Sequence, residues 1–199
     1  MSTEIHERKS ALRERIRAQM KHITAPERAA ASAQACELLN QQKVWQEAGS
    51  ILFYCALRDE LDLSALRKEA LLQGKRVALP RFVAEDNRYE ACDIANFDEK
   101  LASGRFGILE PDSDAPVCSL NQLDLVLVPG LAFDASGRRL GRGKGFYDRL
   151  LYDVRGAKCG VAFDHQIQAE LPVEPHDIVL DYLLTQTRWV NTGLGTALK

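Results

Sequence analysis

The residues with the clearest chemical potential form a short loop in which glycines alternate with positively charged side chains. These residues are Arg139, Gly141, Arg142, Gly143, Lys144 and Gly145. Glycine lets the backbone approach a ligand closely and turn successive N–H groups toward an anion. Several cations in so few residues repel one another unless an anion lies between them, and a phosphate chain is such an anion. The loop therefore predicts a phosphate site, with a flexible, solvated basic loop as the alternative.

The spacing of this loop differs from the common nucleotide-binding patterns. A Walker loop requires GxxxxGK[ST], but Gly137 stands one residue too early and Gly145 replaces the hydroxyl residue. The dinucleotide pattern GxGxxG fails because Phe146 occupies the place of the third glycine. Asp148 follows one helical turn after Gly145, where it could either pair with the cations or hold Mg²⁺.

Other candidate residues lie near the ends of apolar runs that resemble strands. Asp62 is predicted to cap the helix that follows it, which leaves Glu60 free to recognise a ligand donor. Arg81 and Phe82 could flank a ligand, although such pairs occur more often on a surface. Asp181 could be a second metal carboxylate, but its spacing alone favours an acid in a turn.

The elements that must position these residues alternate between strand and helix. Strands are expected at residues 50–55, 76–80, 89–94, 123–128, 159–163 and 183–185, and helices at residues 4–22, 63–72 and 146–154. Thr24 and Glu27 predict a capping box at the start of a further helix that ends near residue 39. Such alternation implies parallel pairing through right-handed crossovers. We therefore expect one α/β domain over residues 1–199, a three-layer α/β/α sandwich with a mostly parallel sheet and extra N-terminal helices.

Composition argues against several classes of protein. The chain has 199 residues, 46% hydrophobic content and a net charge of -2, which suits one compact domain and offers no positive excess for nucleic acid or a membrane surface. No apolar run approaches the roughly 20 residues of a membrane helix, and the charged N-terminus lacks the apolar region of a signal peptide. The five cysteines form no CxxC pair, so neither a zinc site nor a redox motif is predicted. We expect a cytoplasmic protein with reduced thiols.

The glycine-rich loop and the strand before it together resemble the signature of a known family. Val-Pro-Gly-Leu-Ala-Phe-Asp at residues 128–134 and Arg-Leu-Gly-Arg-Gly-Lys-Gly-Phe-Tyr-Asp at residues 139–148 are similar to the signature of the 5-formyltetrahydrofolate cyclo-ligase family, also called methenyltetrahydrofolate synthetase. Weaker landmarks follow in the same order, at residues 9–13, 60, 79–82, 107–111 and 176–181. The resemblance spans nearly the whole chain.

This resemblance implies a Rossmann-like fold and an ATP- and Mg²⁺-dependent conversion of 5-formyltetrahydrofolate into 5,10-methenyltetrahydrofolate, ADP and phosphate. By position, ATP contacts would come from Lys9, Arg13, Arg139, Leu140, Gly141, Arg142, Gly143, Lys144, Gly145, Phe146 and Tyr147. Folate contacts would come from Cys55, Glu60, Arg142, Gly143, Lys144, Gly145 and Phe146. Asp148 and Asp181 would hold Mg²⁺. Arg142 and Lys144 would act in catalysis by stabilising the transferring phosphoryl group.

The sequence departs modestly from the family's pattern. Phe82 and Phe146 stand where tyrosine is common in relatives, which removes any hydroxyl contact there, and Cys55 occupies a variable position. The implied partners are a folate and ATP, with no nucleic acid and no membrane, and we expect a monomer. Two alternatives are an enzyme like a sugar-phosphate isomerase, which needs no nucleotide, and a non-catalytic regulator, which binds ATP without releasing ADP. ATP consumption that depends on formyl-folate separates these possibilities.

Overall fold

The computed structural model describes residues 2–97, 101–172, 174 and 177–193. The α-helices of this part are α1 (Ser2–Met20), α2 (Ala25–Asn40), α3 (Lys43–Glu47), α4 (Ser64–Leu72) and α5 (Phe146–Tyr152). The strands are β1 (Ser50–Leu52), β2 (Arg76–Val83), β3 (Arg88–Ile94), β4 (Ala102–Ser103), β5 (Leu109–Glu110), β6 (Val117–Cys118), β7 (Leu125–Pro129), β8 (Ala132–Asp134), β9 (Arg139–Leu140), β10 (Ala157–Val161), β11 (Ile167–Gln168), β12 (Tyr182–Leu184) and β13 (Trp189–Asn191). Short 3₁₀ turns occur at Arg105–Gly107, Leu120–Gln122 and Asp164–Gln166.

The middle layer is an eight-stranded sheet in the order β13-β12-β10-β7-β1-β2-β3-β6. The five strands from β12 to β2 run parallel, and β13, β3 and β6 are antiparallel to their neighbours. One buried cluster packs α2 and α4 against one face of the sheet, and a second packs α5 against the other. Ile51 and Leu52 of β1 belong to opposite clusters, as expected for successive strand residues. The three layers and the mostly parallel sheet confirm the predicted fold class.

The N-terminal helices follow the sequence closely. The predicted capping box is present, because the Thr24 hydroxyl accepts from the Glu27 backbone N–H and a Glu27 carboxylate oxygen accepts from the Thr24 N–H. Ile16 and Met20 of α1 pack against Leu131 and Leu140, so this helix lies across the region that follows β7. The short helix α3 was not predicted, since its five residues are too few to display helical periodicity.

Element ends differ from the sequence expectation where local hydrogen bonds decide them. Helix α4 begins at Ser64 rather than at residue 63. Asp62 accepts from the Ser64 backbone N–H at 2.9 Å, but it lies two residues before the helix, not immediately before it as predicted. Strand β7 begins at Leu125, and the side chain of the preceding Asp124 accepts from the backbone N–H groups of Gly49 and Ser50. Strand β2 continues into a hairpin with β3, whose turn contains Asn87 at φ 50°.

Two further expectations concern the whole chain. In the described parts, no helix combines the length and apolar character needed to cross a membrane. All five cysteines are free, and every one except Cys55 is buried. Burial raises the pKa of the Cys36, Cys92 and Cys118 thiols to about 11, so these side chains behave as small core residues, as predicted.

Candidate active site

A cavity of about 350 Å³ opens beyond the carboxyl ends of β1 and β7, where ligands bind in open α/β sheets. The predicted site residues that line it are Cys55, Glu60, Arg139, Gly141, Arg142, Lys144, Gly145, Phe146, Tyr147 and Asp148. Further lining residues, to which the sequence analysis assigned no role in the site, are Tyr54, Leu57, Pro80, Tyr89, Ile108, Pro129 and Gly130. The cavity therefore collects most of the predicted residues from two separate segments of the chain, residues 55–60 and residues 139–148.

The glycine-rich loop is shaped by two left-handed glycines and by helix α1. Gly143 and Gly145 have φ values of 103° and 65°, a region that strains any residue with a Cβ, and Gly145 is the N-cap of α5. The Arg13 Nε donates to the Gly141 carbonyl at 3.0 Å, which ties α1 to the loop. Leu140 contributes its side chain to the buried core, so any contact of this residue with a nucleotide must come from its backbone.

Two of the predicted cations already have carboxylate partners. Arg142 contacts Asp59 through Nη2 at 2.7 Å and Glu60 Oε1 through Nη2 and Nε at 3.0 and 3.3 Å. Arg139 contacts Asp148 Oδ1 through Nη2 at 2.6 Å, and the Arg139 side chain is only 4% exposed. Each guanidinium is thus fixed in the cavity wall, and Asp148 serves first as a salt-bridge partner.

Lys144 differs from the two arginines. Its side chain is exposed at the cavity, and its ammonium group makes no ion pair or hydrogen bond with the described residues. The loop therefore presents one cation that is available to an incoming anion without first leaving a protein partner.

Glu60 is a buried carboxylate at the cavity wall. Burial raises its pKa, while Arg142 and the backbone N–H of Leu57 act in the opposite direction because they favour the charged form. Oε2 accepts from that Leu57 N–H at 3.0 Å, and Arg28 of α2 donates to the Glu60 carbonyl at 2.8 Å. Glu60 is therefore held from both sides beside the cavity, with its carboxylate already bonded to Arg142 and Leu57, and its role in ligand recognition stays a prediction.

Lys9 lies outside the cavity lining and is held by two acids. The Lys9 ammonium contacts Glu174 and Asp177 at 2.7 Å each, and the residue is 5% exposed. Burial lowers the pKa of Lys9, but the hydrogen bonds and charges of Asp177 and Glu174 outweigh it, so that the pKa is raised overall. The predicted phosphate contact of Lys9 therefore requires an exchange of partners.

The structure does not bring Asp181 together with Asp148. Asp181 precedes β12 and accepts from the Lys158 backbone N–H at 2.8 Å, near the amino end of β10. Asp148 lies with Arg139, which donates to the Pro129 carbonyl at the carboxyl end of β7. In the register of β7 and β10, the level of Asp181 and the level of Asp148 are three residues apart. This separation is about 10 Å along the strands, which is too far for both carboxylates to bind one cation. Asp181 therefore links the start of β12 to β10 by a hydrogen bond. This structural role agrees with the acid in a turn that its spacing alone favoured.

Other acids lie closer to the loop. Burial lowers the pKa of Arg13, and the like charge of Arg17 lowers it further. The charges of Asp148, Glu174 and Asp177 oppose this shift, so these three carboxylates all lie within electrostatic reach of Arg13. Residues 173, 175 and His176, a landmark of the resemblance, are outside the described residues. Within the described ranges, no group of three or more His, Cys, Asp or Glu side chains is arranged to hold a metal ion.

Aromatic rings form one wall of the cavity. Phe82, Tyr89 and Phe146 meet edge to face, with centroid separations of 5.4 to 5.6 Å, and Tyr147 lies 6.2 Å from Tyr89. Phe82 and Phe146 therefore act by packing, without the hydroxyl of the family's usual tyrosine. Arg81, the other half of the predicted surface pair, instead bonds Glu90.

Cys55 is among the residues that line the cavity. Arg67 Nη1 lies 3.5 Å from the Cys55 sulfur, and burial raises the pKa of this thiol although Arg67 opposes the shift. A half-buried thiol that stays protonated offers van der Waals contact rather than nucleophilic chemistry.

Comparisons with known proteins are consistent over nearly the full length. A sequence model of the 5-formyltetrahydrofolate cyclo-ligase family matches residues 5–186. The chain is 28% identical over 191 residues to 5-formyltetrahydrofolate cyclo-ligase of Mus musculus, covering 90% of this chain and 94% of the mouse protein. It is 34% identical over 149 residues to 5-formyltetrahydrofolate cyclo-ligase of Escherichia coli K12, covering 71% and 80% of the two chains.

Solved structures give the same result. The NMR structure of Aquifex aeolicus 5,10-methenyltetrahydrofolate synthetase superposes with a TM-score of 0.84 at 33% identity, covering 96% of each chain. The 5,10-methenyltetrahydrofolate synthetase of Mycoplasma pneumoniae gives a TM-score of 0.72 at 22% identity, covering 89% of this chain and 98% of the other, and supports the fold alone.

Proposed function

The chain belongs to the 5-formyltetrahydrofolate cyclo-ligase family and is an enzyme of that class, and from this premise we propose that it uses ATP and Mg²⁺ to close the ring of 5-formyltetrahydrofolate. The observation that carries the proposal is the presence of the exposed Lys144 ammonium and the buried Glu60 carboxylate in one cavity. The Lys144 ammonium suits a phosphate, and the Glu60 carboxylate suits the edge of a pterin, which is rich in hydrogen-bond donors.

The glycine-rich loop would bind the triphosphate. Lys144 offers a free ammonium, and Arg139 offers a guanidinium fixed by Asp148. The Arg13 guanidinium lies beside the same loop, where it can neutralise a phosphate oxygen from the α1 side. The Lys9 ammonium would also contact the triphosphate once its ion pairs with Glu174 and Asp177 are broken.

The folate would occupy the part of the cavity between Glu60 and the aromatic wall. A cavity of about 350 Å³ falls within the range typical of small-molecule sites and suits one heterocycle with the phosphate that reacts with it. Phe146 and Tyr147 offer flat surfaces to the ring, and Cys55 offers apolar contact. Glu60 would accept from the ring N–H groups.

The reaction follows from the poor reactivity of a formamide. The formyl oxygen attacks the γ-phosphorus, the bond to ADP breaks, and the formyl carbon gains a phosphate leaving group. N10 then attacks that carbon, phosphate departs with the oxygen, and the N10 proton goes to solvent, which leaves the methenyl bridge. Arg142 and Lys144 would stabilise charge on the transferring phosphoryl group, and the cavity would hold N10 against the activated carbon.

Carboxylates near the loop would supply ligands to a magnesium ion after a rearrangement, since the described residues hold no preformed group of three such side chains. Asp148, with Glu174 and Asp177 across Arg13, supplies the oxygen ligands that Mg²⁺ prefers, and we propose these acids in place of Asp181. When bound, Mg²⁺ would neutralise charge on the phosphate chain. When these carboxylates bind Mg²⁺, they would no longer pair with their present cationic partners. Those cations could then bind phosphate.

The cellular compartment of the protein, and its substrates and oligomeric state, are also proposals. Five free thiols suit a reducing compartment such as the cytoplasm. The substrates we propose are a folate and ATP, acted on by a monomer.

The test is an absorbance assay with purified protein, ATP, Mg²⁺ and 5-formyltetrahydrofolate. We expect methenyl-folate to appear with one ADP released per ring closed, and no ADP release when the folate is omitted. Ring closure without ATP, or ATP binding without folate-dependent ADP release, would contradict the proposal.

A further inference from the structure

Tyr89 carries a hydroxyl group that none of the described residues bonds. The residue lies on β3, lines the cavity and is only 6% exposed. Its hydroxyl has no hydrogen-bond partner among the described residues, and it is not one of the fully enclosed unpaired atoms, so it reaches open volume. Buried tyrosine hydroxyls normally find a partner, and one that faces a cavity without any points to a ligand.

The ring of Tyr89 is held firmly by its neighbours. Phe82, Phe146 and Tyr147 surround it at centroid distances of 5.6, 5.4 and 6.2 Å. Burial raises the pKa of Tyr89 to about 12, with a smaller contribution from Glu110. The hydroxyl therefore remains protonated at neutral pH and can donate a hydrogen bond from a fixed position.

The charges around Tyr89 indicate which part of the substrates it meets. Two carboxylates, Glu110 and Glu60, lie within electrostatic reach of the hydroxyl, together with one arginine, Arg105. A triphosphate is disfavoured beside two acids, whereas an uncharged heterocycle is tolerated. Glu60 can accept hydrogen bonds from the N–H groups of such a ring. The carbonyl oxygen of the ring then still needs a hydrogen-bond donor.

We propose that the Tyr89 hydroxyl donates a hydrogen bond to the ring carbonyl of the folate and thereby helps to set the enzyme's affinity for the heterocycle. This inference rests on the proposed function of the cavity. The hydroxyl and Glu60 then form a complementary pair, one donating to the ring and the other accepting from it. A ring that offers an N–H group in place of the carbonyl would bind less tightly.

The test compares Tyr89→Phe with a matched control, Tyr152→Phe. Phenylalanine keeps the aromatic packing and removes only the hydroxyl, while Tyr152 is 80% exposed on α5. We expect Tyr89→Phe to raise the KM for 5-formyltetrahydrofolate about two- to tenfold, since a neutral hydrogen bond contributes modestly to binding. kcat and the KM for ATP should stay within about twofold of the wild-type values, and Tyr152→Phe should change nothing.

A stability measurement distinguishes a ligand contact from a structural role. Because the Tyr89 hydroxyl has no hydrogen-bond partner in the part of the chain that the structure describes, Tyr89→Phe should leave the melting temperature unchanged or raise it. An unchanged KM for the folate, a matching rise in the KM for ATP, or a fall in kcat at constant KM would overturn the inference. Absence of turnover in the wild-type protein would instead remove the proposed function on which it rests.

Discussion

Lys144 allows the catalytic hypothesis to be tested with little interference from protein stability. Its ammonium is exposed at the cavity and has no ion pair or hydrogen bond with the described residues. The Lys144→Ala substitution should therefore change the free energy of unfolding by no more than about 0.5 kcal/mol, as is usual for exposed positions.

The effect of the same substitution on turnover should be much larger. If Lys144 stabilises the transferring phosphoryl group, its removal should lower kcat at least about 100-fold, since one charge-stabilising donor is typically worth about 10²–10³, or about 2.7–4 kcal/mol. The assay is steady-state formation of methenyl-folate at saturating ATP, with unfolding by urea measured in parallel. Lys144→Arg keeps the charge and should retain more activity than Lys144→Ala.

Lys43 provides a matched control. It is a lysine on α3 whose side chain is 83% exposed and lies 3.5 Å from Glu47, so Lys43→Ala should affect neither turnover nor stability measurably. Near-normal kcat in Lys144→Ala would refute the catalytic role. A rise in the KM for ATP at constant kcat would also refute it, because Lys144 would then bind ground state and transition state equally.

Two further substitution pairs test the acids. Asp177→Asn should shift the Mg²⁺ titration of activity to higher concentration, whereas Asp181→Asn should leave that titration unchanged and cost about 1 kcal/mol of stability, because the Lys158 N–H loses a charged acceptor. Burial holds the pKa of Glu110 above its ordinary value of 4.5, so its contribution to stability is full below that pH and is lost as pH rises through the folded-state pKa. Urea unfolding from about pH 5 to about pH 8 should therefore favour Glu110→Gln over wild type increasingly as pH rises, while the exposed control Glu37→Gln follows wild type.

The central layers of the fold could be predicted because local and global signals agree there. The run at residues 123–128 is apolar except for Asp124, and its strand lies in the middle of the sheet, where both faces are buried. The capping box of Thr24 and Glu27 sets the start of α2 by hydrogen bonds between near neighbours in sequence. The antiparallel strands β3, β6 and β13 could not be assigned a direction, since pairing depends on contacts that spacing does not encode.

The site was predictable where residues are adjacent in sequence and less so where the fold alone brings them together. The loop from Arg139 to Asp148 lines one cavity, as its alternation of glycine and charge suggested. Asp181 was implicated by resemblance, but the register of β10 places it at the opposite end of the strands. Tyr89 gave no signal because a tyrosine in an alternating strand is typical of any half-buried sheet.

Burial explains why most of the site's cations are paired before any ligand arrives. Arg139 and Lys9 are almost fully enclosed, and a buried charge without a partner is strongly destabilising, so each is held by carboxylates at 2.6 to 2.7 Å. Lys144 needs no such partner because water solvates its exposed ammonium. Under the proposed function, phosphate would therefore meet Lys144 first and bind the other cations by exchange, while Asp148 would bind the metal ion. Each charge would then stay compensated throughout, which would let so many cations share one short loop.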